Sequence, residues 1–486
     1  MSQSGFVRRP ISYLVLALAI FNGRSSVLAA DKPETPGRYN GPGSCAASAC
    51  HGGVEAVPAA RTRKGIRQNE YFVWASRDPH FGSFNTLQGP RSLQMAKILE
   101  LKIPPTEEPV CLKCHALAPP ASLKVRDFAV EGVSCESCHG ASSGWFAQHF
   151  GNKWNTEESI KNGMQPIDDV VKRSETCLEC HLGTKGQEVD HRMIAAGHPD
   201  LFFELDLFSA KQPRHWKEPP QWKNYAADPN FGVRLWAVGQ AVQLKKALDR
   251  LAGRADRAQA QGTAWPEFSE LDCFSCHHSV RSNQMEVPAN TRTGGMRANV
   301  SDSWRQQRGY DQRMAGSPPW NSAHYTVFLM LLQEIDAEGR SDLQTKLDEL
   351  YQVASRLNSA PRDVRDKASI AGTVAAKVVD QVNRPFDRPT LARLLQRISG
   401  QGERIANQDT RSAEQAYMAL DSLFRCYDNK IGEGAGLNTC AYPSVGAAID
   451  ALNREFDNPS AYSAPRFAAG MKKVHVALQT AGIGPR

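Results

Sequence analysis

The chain has 486 residues, and its 58 basic and 51 acidic side chains give a formal net charge of +7. Arg8, Arg9 and Arg24 lie in the first 30 residues, and without this segment 55 basic residues face 51 acidic ones. A surplus this small gives no support for a nucleic-acid partner. The sequence also contains no glycine-rich nucleotide-binding loop, nucleophile elbow or zinc-protease helix.

The N-terminus has the pattern of a secretory signal peptide. Arg8 and Arg9 precede an apolar run from Ile11 to Phe21, and small residues then lead to Ala30 before a polar stretch. We predict a signal peptide over residues 1–30, with cleavage after Ala29 or Ala30. The apolar run is too short to span a bilayer comfortably. The sequence therefore predicts an exported, periplasmic, soluble protein, with an uncleaved N-terminal anchor as the alternative.

The pentapeptide Cys-x-x-Cys-His occurs four times, and this spacing is typical of c-type haem attachment. Two thiols at this spacing can bond to the vinyl groups on one porphyrin edge, while the adjacent imidazole binds the iron. The predicted attachment residues are Cys111, Cys114, Cys135, Cys138, Cys177, Cys180, Cys273 and Cys276, and the predicted proximal iron ligands are His115, His139, His181 and His277. Zinc is the main alternative, but each motif would supply only three ligands with no recurrent fourth.

A fifth attachment site is predicted at Cys45 and Cys50, because His51 directly follows the second thiol although four residues separate the two cysteines. The alternative is a Cys45–Cys50 disulfide. Five haem c groups would use ten of the twelve cysteines. The other two, Cys426 and Cys440, close a 15-residue loop, and a disulfide there would contribute about 3 kcal/mol in an oxidising compartment.

Beyond the signal peptide the chain divides into three predicted parts. Residues 31–290 contain every attachment motif and are rich in proline and glycine, so they predict a multihaem domain with few long elements. One clear amphipathic helix is predicted there, from Phe231 to Ala260. Residues 291–319 form a predicted linker, and residues 320–486 a helical domain without haem motifs. The fold class is therefore mainly α, a loop-rich multihaem core followed by a helical C-terminal domain.

Apolar spacing predicts the helices of the last part. They are His324–Glu338, Asp342–Leu357, Arg362–Val382, Pro389–Ile398, Ser412–Cys426 and Val445–Phe456. Ser341 and Ser412 are the predicted N-caps of two of them.

Eight histidines outside the motifs are candidates for the second axial position on the irons: His80, His149, His191, His198, His215, His278, His324 and His475. Four segments narrow this set: Trp74-x-Ser76-x-x-x-His80, Gly-Val-Ser-Cys135-Glu-Ser-Cys138-His139-Gly, Val-Asp-His191-Arg-Met-Ile-Ala-Ala-Gly-His198-Pro-Asp-Leu-Phe-Phe-Glu-Leu and Asp272-Cys273-Phe-Ser-Cys276-His277-His278. Together they resemble multihaem cytochromes of the hydroxylamine-oxidoreductase superfamily, closest to its electron-carrying tetrahaem branch. The resemblance covers roughly residues 40–280.

This resemblance implies stacked, mostly bis-histidine haem pairs. It also implies that His80, His149, His191 and His198 are distal ligands, with His215 and His324 as weaker candidates for a fifth position. No cysteine pair is followed by lysine, so the lysine-ligated haem of pentahaem nitrite reductases is absent.

Iron held by two imidazoles has no position for a substrate, which suits electron transfer. The sequence therefore predicts an electron carrier without catalytic residues, whose partners are redox proteins, including membrane-associated ones. The ten propionates of five haems make the predicted holoprotein acidic, and its charge depends on oxidation state. One alternative is a haem enzyme with an open iron that acts on small nitrogen or sulfur oxides. Another assigns the helical domain a docking role.

Overall fold

The computed structural model describes residues 37–58, 66–128, 130–152, 154–216, 228–273, 318, 320–428, 441–457 and 462–484. The predicted signal peptide, Cys276, His277, His278, Cys440 and the predicted linker apart from Pro318 lie outside these residues. Cys426 is buried within them and has a free thiol, and its predicted disulfide stays a prediction.

The described chain is mainly helical, which confirms the predicted fold class. Its only β-type pairing is three isolated bridges, Tyr39 with Lys124, Thr184 with Gln187, and Leu271 with Trp320. The α-helices are α1 (Glu70–Arg77), α2 (Ser83–Thr86), α3 (Pro90–Ile98), α4 (Pro109–His115), α5 (Cys135–His139), α6 (Thr156–Lys161), α7 (Val170–Leu178), α8 (His191–Ala195), α9 (Leu205–Lys211), α10 (Phe231–Gln261), α11 (Thr326–Ile335), α12 (Ala337–Ala354), α13 (Pro361–Val382), α14 (Arg388–Gly400), α15 (Gly402–Gln408), α16 (Thr410–Tyr427), α17 (Pro443–Asn453) and α18 (Ala464–Thr480).

The helices that carry the attachment motifs are short. Before Phe231, no α-helix of the described residues exceeds nine residues. Prolines begin two of them, Pro90 in α3 and Pro109 in α4, where the missing N–H removes no intrahelical bond. The expectation of few long elements in this part of the chain is confirmed. Chain direction here is set mainly by turns and side-chain hydrogen bonds.

Helix α10 is the central element of the fold and follows the predicted Phe231–Ala260 closely. It ends at Gly262, whose φ of +64° is a left-handed conformation that favours glycine. Residues around Trp236 and Leu244 are buried on all sides, because α7 and α9 pack on one side and α13 and α16 on another. One hydrophobic core therefore runs from α7 to α18. The boundaries of the predicted domains stay a prediction.

Two predicted helix starts in the C-terminal part are wrong. The helix that was to begin after Ser341 starts earlier, because the Asp336 carboxylate accepts the N–H of Gly339 at 3.0 Å. Likewise Asp409 caps α16 by accepting the N–H of Ser412 at 2.6 Å. In both places an aspartate a few residues upstream provides the cap that serine was predicted to provide.

Two helices, α15 and α18, were not predicted. The first predicted helix of this part is shorter than expected and ends at Ile335. No helix of the described residues is long and apolar enough to cross a membrane.

Candidate haem-binding sites

Three pairs of imidazoles face each other, and each pair joins one motif histidine to one histidine from elsewhere in the chain. The ring centroids are 6.2 Å apart for His51 and His149, 6.2 Å for His80 and His181, and 6.3 Å for His115 and His198. Two imidazoles on opposite faces of one metal ion have centroids about 6 Å apart, since each metal–nitrogen bond is about 2 Å and each nitrogen lies about 1 Å from its ring centre. The spacing therefore fits one iron in each pair.

Five of these six imidazoles have an acceptor beside Nδ1. The Nδ1 contacts are His51 with Glu70 Oε2 at 3.0 Å, His80 with Asp78 Oδ1 at 2.8 Å, His115 with the Ser83 carbonyl at 3.1 Å, His149 with the Phe146 carbonyl at 2.7 Å and His198 with the Pro199 carbonyl at 2.7 Å. An imidazole that donates its Nδ1 proton keeps the Nε2 lone pair for a metal. The hydrogen bonds thus assign the tautomer that iron ligation requires.

The motif histidines His139 and His181 are held neutral by their surroundings. Burial, with smaller contributions from the charges of His215 and His51, lowers the pKa of His139 to about 4. Burial also lowers the pKa of His181 to about 4, with a smaller contribution from His80. A neutral imidazole is the form that binds a metal ion. Both residues therefore have the protonation state of a ligand at neutral pH.

Three of the four predicted distal ligands, His80, His149 and His198, are the ones brought to motif histidines. The fourth, His191, begins α8 with its ring 5.6 Å from that of Phe268. Because His277 lies outside the described residues, the iron partner of His191 stays a prediction. Among the described residues, no second imidazole stands in a ring pair with His139.

The predicted attachment sites are numbered along the chain by their first cysteines, Cys45, Cys111, Cys135, Cys177 and Cys273. The first and third sites lie against each other. The thiols of Cys45 and Cys135 share a hydrogen-bonding contact, which lowers the pKa of Cys45. Glu136, inside the third motif, holds this arrangement because its carboxylate accepts the backbone N–H groups of Asn40 at 3.0 Å and Gly41 at 2.8 Å. These two residues lead directly into the segment that contains Cys45.

The second and fourth attachment sites are joined in a different way, through Gln187. Its side-chain amide nitrogen lies 3.5 Å from Cys114 Sγ and 3.2 Å from Cys180 Sγ, and donates to the Lys113 carbonyl at 3.0 Å. The turn that contains Gln187 is fixed by its backbone bridge to Thr184. One side chain therefore contacts the second cysteine of two motifs.

The third and fourth motifs also adjoin. The pKa of the Cys138 thiol is raised to about 12, mainly by burial and next by the negative charge of a Cys177 thiolate. Such a charge effect requires the two cysteines to be close. The motifs are thus neighbours in the order first, third, fourth, second, although the chain connects them in a different order.

The residues present fit haem better than zinc. Among the described residues, no three His, Cys, Asp or Glu side chains form a metal-binding group, so the zinc alternative finds no support there. Large apolar side chains lie exposed near the paired imidazoles, with Phe150 72 % exposed and its ring 5.9 Å from that of His149. Exposed apolar side chains beside an iron-binding pair are what a porphyrin face would cover.

Comparison with known proteins gives one match. The family model described as "Cytochrome c554 and c-prime" matches residues 46–140, a stretch that contains His80 and the histidines of the first three attachment sites. The match supports a c-type cytochrome. A c-type cytochrome carries covalently bound haem and functions in electron transfer, as the motifs predict. No curated protein and no solved structure matched.

Several residues of the candidate sites were not found from sequence. Glu70 and Asp78 contact predicted iron ligands, and Glu136 and Gln187 join predicted attachment sites. Only Asp78 could have been linked to a candidate ligand by sequence position, since it lies two residues before His80. Glu136 lies inside a motif, but no spacing rule predicts its contacts with Asn40 and Gly41, and Glu70 and Gln187 likewise act across the fold.

Proposed function

We propose that the protein is an exported, periplasmic five-haem c-type cytochrome that transfers electrons between redox partner proteins. The observation that carries the proposal is the set of three imidazole pairs, each with one motif histidine and one distant histidine at 6.2–6.3 Å. When bound, haem supplies reversible one-electron cycling of its iron. In each pair the two imidazoles would bind the iron from opposite sides, which would leave no position for a substrate.

The order of the attachment sites extends the proposal. Cys45 contacts Cys135, Cys138 interacts with Cys177, and Cys180 shares Gln187 with Cys114. We propose first, third, fourth, second as the order of these four redox centres in space. In sequence, by contrast, the second motif lies between the first and the third. The last motif, which begins at Cys273, follows α10 and adds the fifth centre.

Two measurements on the purified full chain test the proposal. Intact mass counts covalent haems, and five are expected, each adding the same increment. Electron paramagnetic resonance of the oxidised protein should then show predominantly low-spin ferric signals, because both axial positions are filled. A colourless protein, or a mass without haem, would refute the proposed function outright. A mass with four haems would refute only the count of five.

A second candidate function has one specific observation in its favour. His139 is the only motif histidine of the described residues that stands in no imidazole pair, so the third haem is where an open iron would lie. An enzyme that binds a small nitrogen or sulfur oxide needs such a position. A high-spin ferric signal that disappears on addition of nitrite or hydroxylamine would favour this function. The absence of this high-spin signal would favour the electron carrier.

A further inference from the structure

A polar cavity lies beside the first cysteine of the last motif. Ser269, His324 and Arg411 line it, together with Asp200 and Arg250. Arg411 Nη2 lies 3.4 Å from Cys273 Sγ, so the cavity adjoins the place where the last haem would be attached. None of these residues belongs to the imidazole pairs described above.

His324 lines this cavity and has an unused polar atom. The residue is 6 % exposed, and its Nε2 is buried without a hydrogen-bond partner among the described residues. Its Nδ1 lies 3.4 Å from the amide nitrogen of Gln243, and in this arrangement Nδ1 accepts while the ring proton is on Nε2. Buried donors are nearly always paired in folded proteins. The unpaired Nε2 therefore indicates an acceptor that the protein itself does not provide.

The position of His324 is fixed relative to the chain that leads to Cys273. Trp320 forms a backbone bridge with Leu271, and the N–H of Asn321 donates to the Glu270 carbonyl at 3.0 Å. The Asn321 side chain then accepts the N–H of Ala323, which sets the turn that ends at His324. The cavity is thus built between two segments that are held together by backbone hydrogen bonds.

Two further residues with donor groups line the same cavity. Ser269 Oγ accepts from Arg254 Nη1 at 2.7 Å, which leaves its hydroxyl hydrogen free to donate. Arg411 pairs with Asp200 through Nε, while its Nη2 has a sulfur atom as partner, a weak acceptor. The lining carboxylate, Asp200, is therefore balanced by Arg411. A guanidinium, a hydroxyl and an imidazole N–H together form a set of donors suited to an oxyanion.

We propose that this cavity binds a carboxylate or a small inorganic oxyanion through His324, Ser269 and Arg411. The same chemistry has two sources, a propionate of the haem attached at Cys273 or a free oxyanion from solution. The first source rests on the proposed function, and the second does not.

The experiment uses the full-length holoprotein and the variants His324→Phe and Arg411→Gln. His475→Phe and Arg397→Gln are matched controls, because they remove an imidazole and a paired guanidinium elsewhere in the helical part. Nitrite and sulfate are titrated by calorimetry, and haem midpoint potentials are measured by spectroelectrochemistry. A solution source predicts saturable binding to the wild type and both controls, weakened at least tenfold in both test variants.

A propionate source predicts no saturable binding of either anion. Instead, one midpoint potential should fall in Arg411→Gln, because a positive charge that disfavours ferric iron is removed. The same potential should fall less in His324→Phe, where only a donor is lost. Arg411→Lys keeps the charge and should restore most of the potential, which also covers the case in which Arg411→Gln fails to fold.

Unchanged anion binding and unchanged potentials in the test variants would overturn the inference. A new high-spin ferric signal in His324→Phe would also overturn it, because His324 would then be an iron ligand. Both outcomes differ from failure of the proposed function, which intact mass reports separately as missing haem.

Discussion

Asp78 Oδ1 lies 2.8 Å from Nδ1 of His80, and the two residues are separated by one proline. The same oxygen accepts the backbone N–H of His80 at 3.0 Å, while Gln212 donates to the other carboxylate oxygen. Burial raises the pKa of Asp78, but these hydrogen bonds outweigh it and leave the pKa below its usual value. Asp78 is therefore an anionic acceptor that holds the imidazole facing His181.

Replacing the Asp78 carboxylate should change the midpoint potential of one haem without changing the ligands of its iron. In Asp78→Asn the imidazole loses an anionic partner, which makes ferric iron less favourable, so the potential of the haem between His80 and His181 should rise by on the order of tens of millivolts. Spectroelectrochemical titration of the holoprotein measures the shift. Asp380→Asn, on the exposed face of α13, is the control and should leave every potential unchanged. An unshifted potential with intact haem content would contradict the orienting role of Asp78.

The pairing of His115 with His198 predicts different haem spin states for two substitutions of His198. His198→Ala should convert one ferric haem from low to high spin, because one axial position is vacated. His198→Met should keep that haem low spin and raise its potential, since Met/His ligation favours ferrous iron relative to His/His. Paramagnetic resonance and redox titration distinguish the two results.

The surface imidazole of His475 provides the control for these variants. His475→Ala should leave spin state and potentials as in the wild type, because its Nδ1 contacts Ser399 on the helical part of the chain. If His198→Ala remained fully low spin, the assignment of His198 to this iron would be wrong.

The attachment sites could be predicted from local patterns because the chemistry itself is local. Two thiols and an imidazole must lie close in sequence to bind one haem, and here each predicted set spans five or seven residues. The pairing of motif histidines with distant histidines could not be predicted in this way, since His80 and His181 are 101 positions apart. Residues such as Gln187 join two motifs only after the turn at Thr184 has formed. They depend on tertiary structure that no spacing rule describes.

The starts of two helices could not be predicted for a different reason. The apolar period placed most C-terminal helices within a few residues, but it does not determine where a helix starts. Asp336 and Asp409 compete with nearby serines for the cap, and backbone geometry selects the aspartate. Helix α18 was predictable, because Phe467, Met471, Val474 and Leu478 repeat at helical spacing after Ser463.

The predicted attachment site at Cys45 and Cys50, where the cysteine spacing is unusual, can be tested by removing one thiol. Cys45→Ala should retain five haems by intact mass, because one thioether to Cys50 suffices for covalent attachment. The pyridine haemochrome spectrum should shift to longer wavelength, since one vinyl group would stay unsaturated. If the two cysteines formed a disulfide instead, the wild type would carry four haems and the variant would show no spectral shift. Ala47→Ser, in the loop between the two cysteines, is the control and should match the wild type.

The buried carboxyl group of Glu204 should make the stability of the fold depend on pH, independently of the predicted iron ligands. Its side chain is 1 % exposed, and burial raises its pKa to about 8, with the charge of Asp206 as the second cause. The three hydrogen bonds that the carboxylate accepts from Asp206 N, Leu207 N and Ser422 Oγ only partly oppose this rise. The folded state thus holds the proton more tightly than the unfolded chain, whose glutamate has a pKa of about 4.3.

The sign of the effect follows from this difference. The contribution of Glu204 to the free energy of unfolding is fully present below about pH 4.3 and is lost as pH rises to about 8, since the unfolded chain releases its proton first. Each unit of pKa difference is worth about 1.4 kcal/mol, so the loss amounts to a few kcal/mol. Glu204→Gln cannot ionise, and its free energy of unfolding should fall less than that of the wild type between pH 5 and pH 8. Urea unfolding followed by circular dichroism at several pH values measures the difference, with the exposed Glu338→Gln as control. Parallel pH profiles for wild type and Glu204→Gln would show that Glu204 is ionised in the folded protein at neutral pH and that the prediction is wrong.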